Sequence, residues 1–190
     1  MKKTALLYII ICLSIMTQLY AQITIPKEQM IFYTEEWKGE RFDDGRPKVS
    51  DELLARLKNI SIEEVWGILR AEGYNNQFDG GWYMLHPDQA FVGRAMTAQY
   101  MPLRPEVNER ILTEGHAQGR IGASNSWPID VLTNGDVYIA DCFGKVVDGT
   151  LIGDNLGNSI YSKSGTGVIF DGGSRDLEGL SHIDGFNAFV

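Results

Sequence analysis

Two short apolar runs frame what this chain can fold into: Asp136-Val137-Tyr138-Ile139-Ala140-Asp141 and Gly167-Val168-Ile169-Phe170-Asp171. Each has the length of a buried strand and is bounded by turn residues, Asn134-Gly135 and Gly144 around the first, Gly172-Gly173 after the second. Between them, Leu151 to Ser164 reads as a helix with small residues in its first turn. Strand, helix, strand in this order predicts a parallel pair joined by a right-handed crossover. Ligands of such units collect beyond the carboxyl ends of the strands. Two polar stretches fall there, Gly153-Asp154-Asn155-Leu156 and Arg175-Asp176. Asp154 and Asp176 stand 22 positions apart, the length of one crossover unit, so both stretches are expected on one edge of the sheet.

The remaining chain adds elements around this unit. Ser50-Asp51 opens a helical pattern through Leu53, Leu54 and Leu57. Ser61 and Glu64 have capping-box spacing ahead of a second helix that Gly73 ends. Phe91 to Tyr100 reads as a strand, and Pro105 suits the first turn of a helix carrying Val107, Ile111 and Leu112. Gly115 to Ser126 is loosely patterned and is assigned no structure. Gln22 to Lys48 reads as an extended leader or linker, although Met30 to Tyr33 could dock. A last strand begins at Asn187 and is expected to leave an open edge that favours association.

Composition sets the class. The 190 residues suit one domain at ~100–200 residues per domain. A hydrophobic fraction of 44% with 22% charged residues is globular usage and argues against disorder of the whole chain. The net charge of −8, without basic clusters, argues against nucleic acid as a partner. Lys2-Lys3, the apolar run Ala5 to Met16 and Leu19-Tyr20-Ala21 have the order of a secretory signal peptide, residues 1–21, cleaved after Ala21. A membrane anchor is the alternative, but the run is shorter than the ~20 residues a spanning helix needs. Export to a periplasm or the medium follows, with no membrane association after cleavage. Cys142 would be the one cysteine left, a small buried residue rather than a nucleophile.

The two polar stretches suggest chemistry. Gly153 allows backbone to approach a ligand, and the amides that follow open a helix, where an anion is favoured. A plain cap by Asp154 accounts for the same residues. Arg175 offers a planar fork for a carboxylate, and Asp176 a hard oxygen for magnesium or manganese. A surface ion pair, or a cap by Asp176, is the competing account. His86, His116 and His182 are widely separated, and neither HExxH nor G-x-S-x-G spacing occurs. Trp66, Trp82 and Trp127 read as core or interface.

Taken together, Gly135-Asp136-Val137 to Asp141, then Gly153-Asp154-Asn155-Leu156, then Gly165-x-Gly167 through Asp171-Gly172-Gly173-Ser174-Arg175-Asp176 resemble the RraA-like family. That family includes 4-hydroxy-4-methyl-2-oxoglutarate aldolases and regulators of ribonuclease E activity, and members have carried the name demethylmenaquinone methyltransferase. The resemblance spans about Val49 to Val190 and is most specific from Gly135 onward. It implies an α/β domain over residues 49–190, with a central mostly parallel sheet and flanking helices, C-terminally truncated relative to the family pattern. It implies a lyase, an aldolase or decarboxylase acting on a 4-hydroxy-2-oxo acid or oxaloacetate through a pyruvate enolate.

On that resemblance the backbone of Gly153, Asp154, Asn155 and Leu156 would hold the substrate carboxylate. Arg175 would bind substrate oxygens, Asp176 would ligate Mg2+ or Mn2+, and Asp154 would orient a water on the metal. The resemblance also implies sites between subunits of a homotrimer or larger homo-oligomer. In the aldolases a further acidic residue comes from a segment lying after the position of Val190. Glu106, Glu109 and Glu114 are present, and the sequence singles out none of them as its substitute. A catalytically inactive binding or regulatory protein, or a truncated fragment, is the alternative.

Overall fold

The computed structural model describes residues 23–190. The expected signal segment, residues 1–21, lies outside the described residues. Among the latter, no helix is long and apolar enough to cross a membrane.

Four parallel strands form one sheet in the order β1-β2-β3-β4: β1 Arg94–Gln99, β2 Asp136–Lys145, β3 Val168–Gly172 and β4 Ala188–Phe189. Seven helices accompany them among the described residues. These are α1 Lys27–Tyr33, α2 Asp51–Leu57, α3 Ile62–Ala71, α4 Pro105–Ala117, α5 Trp127–Asp130, α6 Asp154–Ser164 and α7 Leu177–Ser181. The architecture is therefore α/β with a parallel sheet, as the strand-helix-strand spacing predicts.

Local chemistry accounts for the helix ends. Ser50 caps α2 by accepting from the Leu53 amide, and Ser61 with Glu64 forms the full capping box of α3. Pro105 occupies the first turn of α4, where its missing N–H costs nothing. Gly165 closes α6 in the left-handed conformation, with φ 64°.

Register decides which side of the sheet is core. Met96, Tyr138, Val168 and Ala188 are aligned neighbours on one face, all buried, together with Ala140, Cys142 and Phe170. Ile152 just before α6, Ile160 within it, and Leu180, Ile183 and Phe186 from α7 and beyond complete this core. The opposite face buries Val137, half-buries Ile139 and Ile169, and exposes Thr97, Gln99, Asp141 and Asp171 toward the carboxyl ends of the strands. Cys142, buried beneath it, has its thiol pushed up to about 11 by burial and then by Asp141 and Asp171, so it stays protonated near neutrality.

Two expectations change. The described part of the expected leader, residues 23–48, is not simply extended. It contains α1, and Arg41 donates to the carbonyls of Thr34, Trp37 and Gly45. Arg46 then reaches the fully buried Asp136, its Nη1 3.3 Å from Oδ2, while Arg94 Nε lies 3.2 Å from Oδ1. A buried carboxylate needs such partners, and this one draws them from three chain segments. The last strand is also not an open edge. Tyr83 and Val190 exchange backbone bonds at 2.8 and 3.0 Å, and the Leu85 amide donates to the Ala188 carbonyl at 2.9 Å. Sequence patterning misses this cover because Trp82 to Leu85 lies in a turn-rich stretch far from β4 along the chain.

Candidate functional site

Gly153 and the Arg175-Asp176 pair meet. The chain leaves the core at Ile152, turns at Gly153 and enters α6. After β3, the turn Gly172-Gly173-Ser174 brings the second stretch alongside the first. Its backbone is pinned there, with the Arg175 amide donating to the Ile152 carbonyl at 3.0 Å and the Leu151 amide to the Gly173 carbonyl at 3.2 Å.

The approach is so close that a Cβ on Gly153 would lie 2.2 Å from Asp176 Oδ2 and 3.0 Å from Arg175 Nε. Gly153 has φ −127° and ψ −166°, extended backbone open to any residue. Glycine is required here by space, not by torsion. Arg175 Nε stands 3.5 Å from Asp176 Oδ2, and the side chains remain 63% and 49% exposed, so a solute can reach both.

Asp154 lies in the adjoining turn. Its Oδ1 accepts from the Asn155 amide at 2.7 Å, and its side chain rests over Gly179 of α7, where an added Cβ would fall 3.0 Å from Oδ2. Helix α6 begins after Gly153, without a side-chain cap. Asp154 is thus not the cap that a bare sequence reading allows. With the Asn155 amide taken, the amides of Asp154 and Leu156 are the first-turn donors left for a ligand. Asn155 is exposed and Leu156 half-buried against the core.

Asp176 precedes α7 but makes no side-chain cap bond. It sits in the left-handed region at φ 56°, a conformation that aspartate tolerates better than most residues. The competing ion-pair account is present at 3.5 Å, long for a charge-assisted bond, and leaves the carboxylate accessible.

A hard divalent ion fits such a donor set in one specific manner. Among the described residues no three His, Cys, Asp or Glu side chains are grouped to enclose a metal. Magnesium commonly needs only one or two carboxylates, with water and substrate filling the rest of its shell. Asp176, beside the space that a Gly153 side chain would fill, matches that habit.

A cleft of about 300 Å³ opens elsewhere on the same sheet edge, between Asp79 to Trp82 and the ends of β2 and β3 at Gly144 and Gly172. None of Gly153, Asp154, Arg175 or Asp176 lines it. The candidate site follows the chemistry, because that cleft joins no cation to a carboxylate.

A family model described as Aldolase/RraA matches residues 47–189. The chain belongs to the RraA-like family. Solved structures share its fold. RraAS2 of Streptomyces coelicolor, described as an unusual member of the RNase ES inhibitor RraA protein family, is 21% identical with a TM-score of 0.59, over 80% of this chain and 64% of that one. An uncharacterized protein of Pseudomonas syringae pv. tomato is 20% identical with a TM-score of 0.51, over 74% and 56% of the two chains. A structure described under novel cellulases from microbes associated with the gut ecosystem is 19% identical with a TM-score of 0.55, over 87% and 67%. This RraA-like chain thus spans less than two thirds of the first two structures' length. Among curated proteins none matches it.

Some residues beside the candidate site or in the segments leading to it have no role assigned by the sequence. Gly179 leaves room for Asp154, yet a glycine within a short helix carries no signal of its own. Ser174, in the turn before Arg175, has a shielded hydroxyl without a partner. Arg120 and Asn125 belong to the stretch assigned no structure. His116 donates through Nε2 to the Gly122 carbonyl at 3.0 Å and packs edge-on against Trp127.

Proposed function

We propose that this RraA-like protein is a divalent-metal-dependent lyase that cleaves a small 4-hydroxy-2-oxo acid, with oxaloacetate decarboxylation as a second activity through the same pyruvate enolate. The observation that carries this reading is the close approach of Arg175 and Asp176 to the Gly153 turn. A guanidinium, a half-exposed carboxylate and helix-opening amides meet there within reach of a solute.

The chemistry divides among these groups. In aldol cleavage the 4-hydroxyl loses its proton and the C3–C4 bond breaks. Its electron pair moves toward the 2-oxo oxygen to give the enolate, which is then protonated at C3. The amides of Asp154 and Leu156 hold the 1-carboxylate, aided by the positive end of α6. Arg175 binds substrate oxygens and stabilises charge as it develops. Asp154 accepts a hydrogen bond from a water and so keeps it aligned for proton transfer. A Mg2+ or Mn2+ ion held by Asp176 would supply Lewis-acid stabilisation of the enolate oxygen.

The open setting of Arg175 and Asp176 supports a site that a second subunit closes, in a homotrimer or larger ring. The basic, apolar and small-residue order of the first 21 residues supports export with a cleaved signal. Both belong to the same proposal.

Its test joins binding to turnover. Titration calorimetry should detect Mn2+ binding to the purified protein. Pyruvate release from a 4-hydroxy-2-oxo acid should require Mg2+ or Mn2+. Asp176→Asn, which keeps the shape and tolerates the left-handed backbone, should weaken metal binding at least about tenfold and abolish turnover. Unchanged turnover in that variant would remove the metal role. Absence of both metal affinity and pyruvate release in the parent protein would leave a non-catalytic binding protein.

A further inference from the structure

Arg120 is a cation without an assigned use. It follows α4, and its Nε is shielded from solvent without a hydrogen-bond partner. No carboxylate pairs with its guanidinium among the described residues. The guanidinium lies over the Trp127 ring, 5.4 Å from its centroid. That ring is itself fixed. It is 3% exposed, donates Nε1–H to the Ile121 carbonyl at 3.0 Å, and packs where a side chain on Gly115 would fall 2.2 Å away. A shielded guanidinium donor with no acceptor is costly, and here the stacking platform holds it in place.

Its position follows from two hydrogen bonds. Asn125 Nδ2 donates to the Leu151 carbonyl at 3.1 Å, two residues before Gly153. At the other end, Lys163 in the last turn of α6 donates to the Asp130 carbonyl at 3.2 Å. Helix α5 therefore runs beside α6, and the chain preceding Trp127 lies at the amino end of α6. That is the end occupied by Gly153, Asp154 and Asp176. In a chain of net charge −8, two guanidinium groups without a strong carboxylate partner, Arg120 and Arg175, belong to segments that converge on one helix end.

We propose that Arg120 is a specificity-determining residue that binds a second carboxylate of the ligand, on the fragment that departs from the pyruvate unit. This rests on the lyase reading for its substrate, though not for its anion affinity. Arginine binds a carboxylate through two parallel N–H bonds, and a neutral end group would leave the shielded donor unpaired. Discrimination should therefore be large between ligands with and without the distal charge. A direction of reactivity follows too. A cation on a carboxylate stabilises its ionised form, so Arg120 favours cleavage that leaves this group intact over its loss as carbon dioxide.

The test separates Arg120 from the lyase reading by using inert ligands as well as substrates. Calorimetry of the full chain with Mn2+ present should show 2-oxoglutarate binding more tightly than 2-oxobutanoate. Arg120→Gln should cut the 2-oxoglutarate affinity roughly tenfold or more and leave 2-oxobutanoate within about twofold. Arg120→Lys should restore part of the difference. In turnover, Arg120→Gln should raise KM for a 4-hydroxy-2-oxo dicarboxylic acid and spare 4-hydroxy-2-oxopentanoate. A preference that survives Arg120→Gln, or is absent from the parent protein, overturns the assignment. An Arg120-dependent preference without any pyruvate release overturns the lyase reading and upholds Arg120. Pyruvate release without that preference does the reverse. Equal weakening of both ligands marks a merely structural residue and also overturns the assignment.

Discussion

A single missing methyl group organises the candidate site. Gly153 has ordinary extended torsions, so alanine there strains no backbone. The added Cβ would instead meet Asp176 Oδ2 at 2.2 Å and Arg175 Nε at 3.0 Å. Both are ends of long or exposed side chains that can swing away, so the fold should survive while the geometry does not. Gly153→Ala is expected to keep its thermal midpoint within a few degrees and to lose roughly 10- to 100-fold in turnover and metal affinity. A melting curve beside a Mn2+ titration checks this; a large drop in thermal midpoint would make Gly153 a packing residue first. At this scale the sequence was legible where chemistry is local. Glycine before a helix, and Arg-Asp after a glycine turn, state their chemistry in four residues or fewer. Gly179 and Arg120 were not legible, because their roles depend on what faces them from distant segments. The exposed Arg175–Asp176 pair also shows why the dipeptide alone decides nothing: its closeness to Gly153 is what makes it a candidate site rather than a surface pair.

Among elements, the contact between α6 and α7 sets the relation of Asp154 to Asp176. Gly157 of α6 has Leu180 and Ile183 against it, where a Cβ would come within 2.2 Å of Leu180 Cδ2 and 3.2 Å of Ile183 Cδ1. Alanine gains roughly 0.5–1 kcal/mol over glycine inside a helix. Overpacking a buried contact costs roughly 1–3 kcal/mol. Leu180 is fully buried and has little room to yield, so packing wins. Gly157→Ala should be destabilised by about 1 kcal/mol or more in urea unfolding, with turnover falling as α7 shifts. Strands are held by another pair. Tyr100 and Tyr138 share a hydrogen bond at 2.7 Å. Burial pushes Tyr100 from 10.0 to about 12 and raises Tyr138 as well. The unfolded chain would release these protons near pH 10, whereas the folded chain keeps them. Above that pH the unfolded state binds fewer protons, so stability is whole below pH 10 and is lost as pH rises toward 12. Urea midpoints should be flat in this respect from pH 7 to about pH 10 and then fall as pH rises toward about 12, and Tyr100→Phe should soften the fall. Element identity was readable from apolar runs, caps and glycine stops. Helix α1 was not, because none of its residues is buried and its apolar residues, Met30 to Tyr33, run consecutively rather than at helical spacing.

Over the whole molecule, long-range pairing closes what the sequence leaves open. β4 is two residues long, and its outer side would be a template for other chains without the Tyr83 to Leu85 segment. That segment precedes β4 by about a hundred positions, so no window of local pattern reveals it. The same separation hides the Asp136 cluster, where Arg46 and Arg94 arrive from 90 and 42 residues away. Leu85 offers the sharper experiment because its amide makes one specific bond, to the Ala188 carbonyl at 2.9 Å. Proline at this position removes the donor and leaves a carbonyl unpaired, a cost of roughly 1–3 kcal/mol. Alanine keeps the amide and loses only a half-buried side chain. If the segment guards the edge, Leu85→Pro should show light scattering and concentration-dependent aggregation well below its unfolding temperature, and Leu85→Ala should not. Equal behaviour of the two variants would place the effect in side-chain packing, and a soluble Leu85→Pro protein of unchanged particle size would mean that β4 is protected from its other partners alone. Because β4 pairs directly with β3, and the turn after β3 carries Arg175 and Asp176, a loosened edge should also reach the site. Metal affinity measured on the soluble fraction of Leu85→Pro would then fall together with stability rather than independently of it.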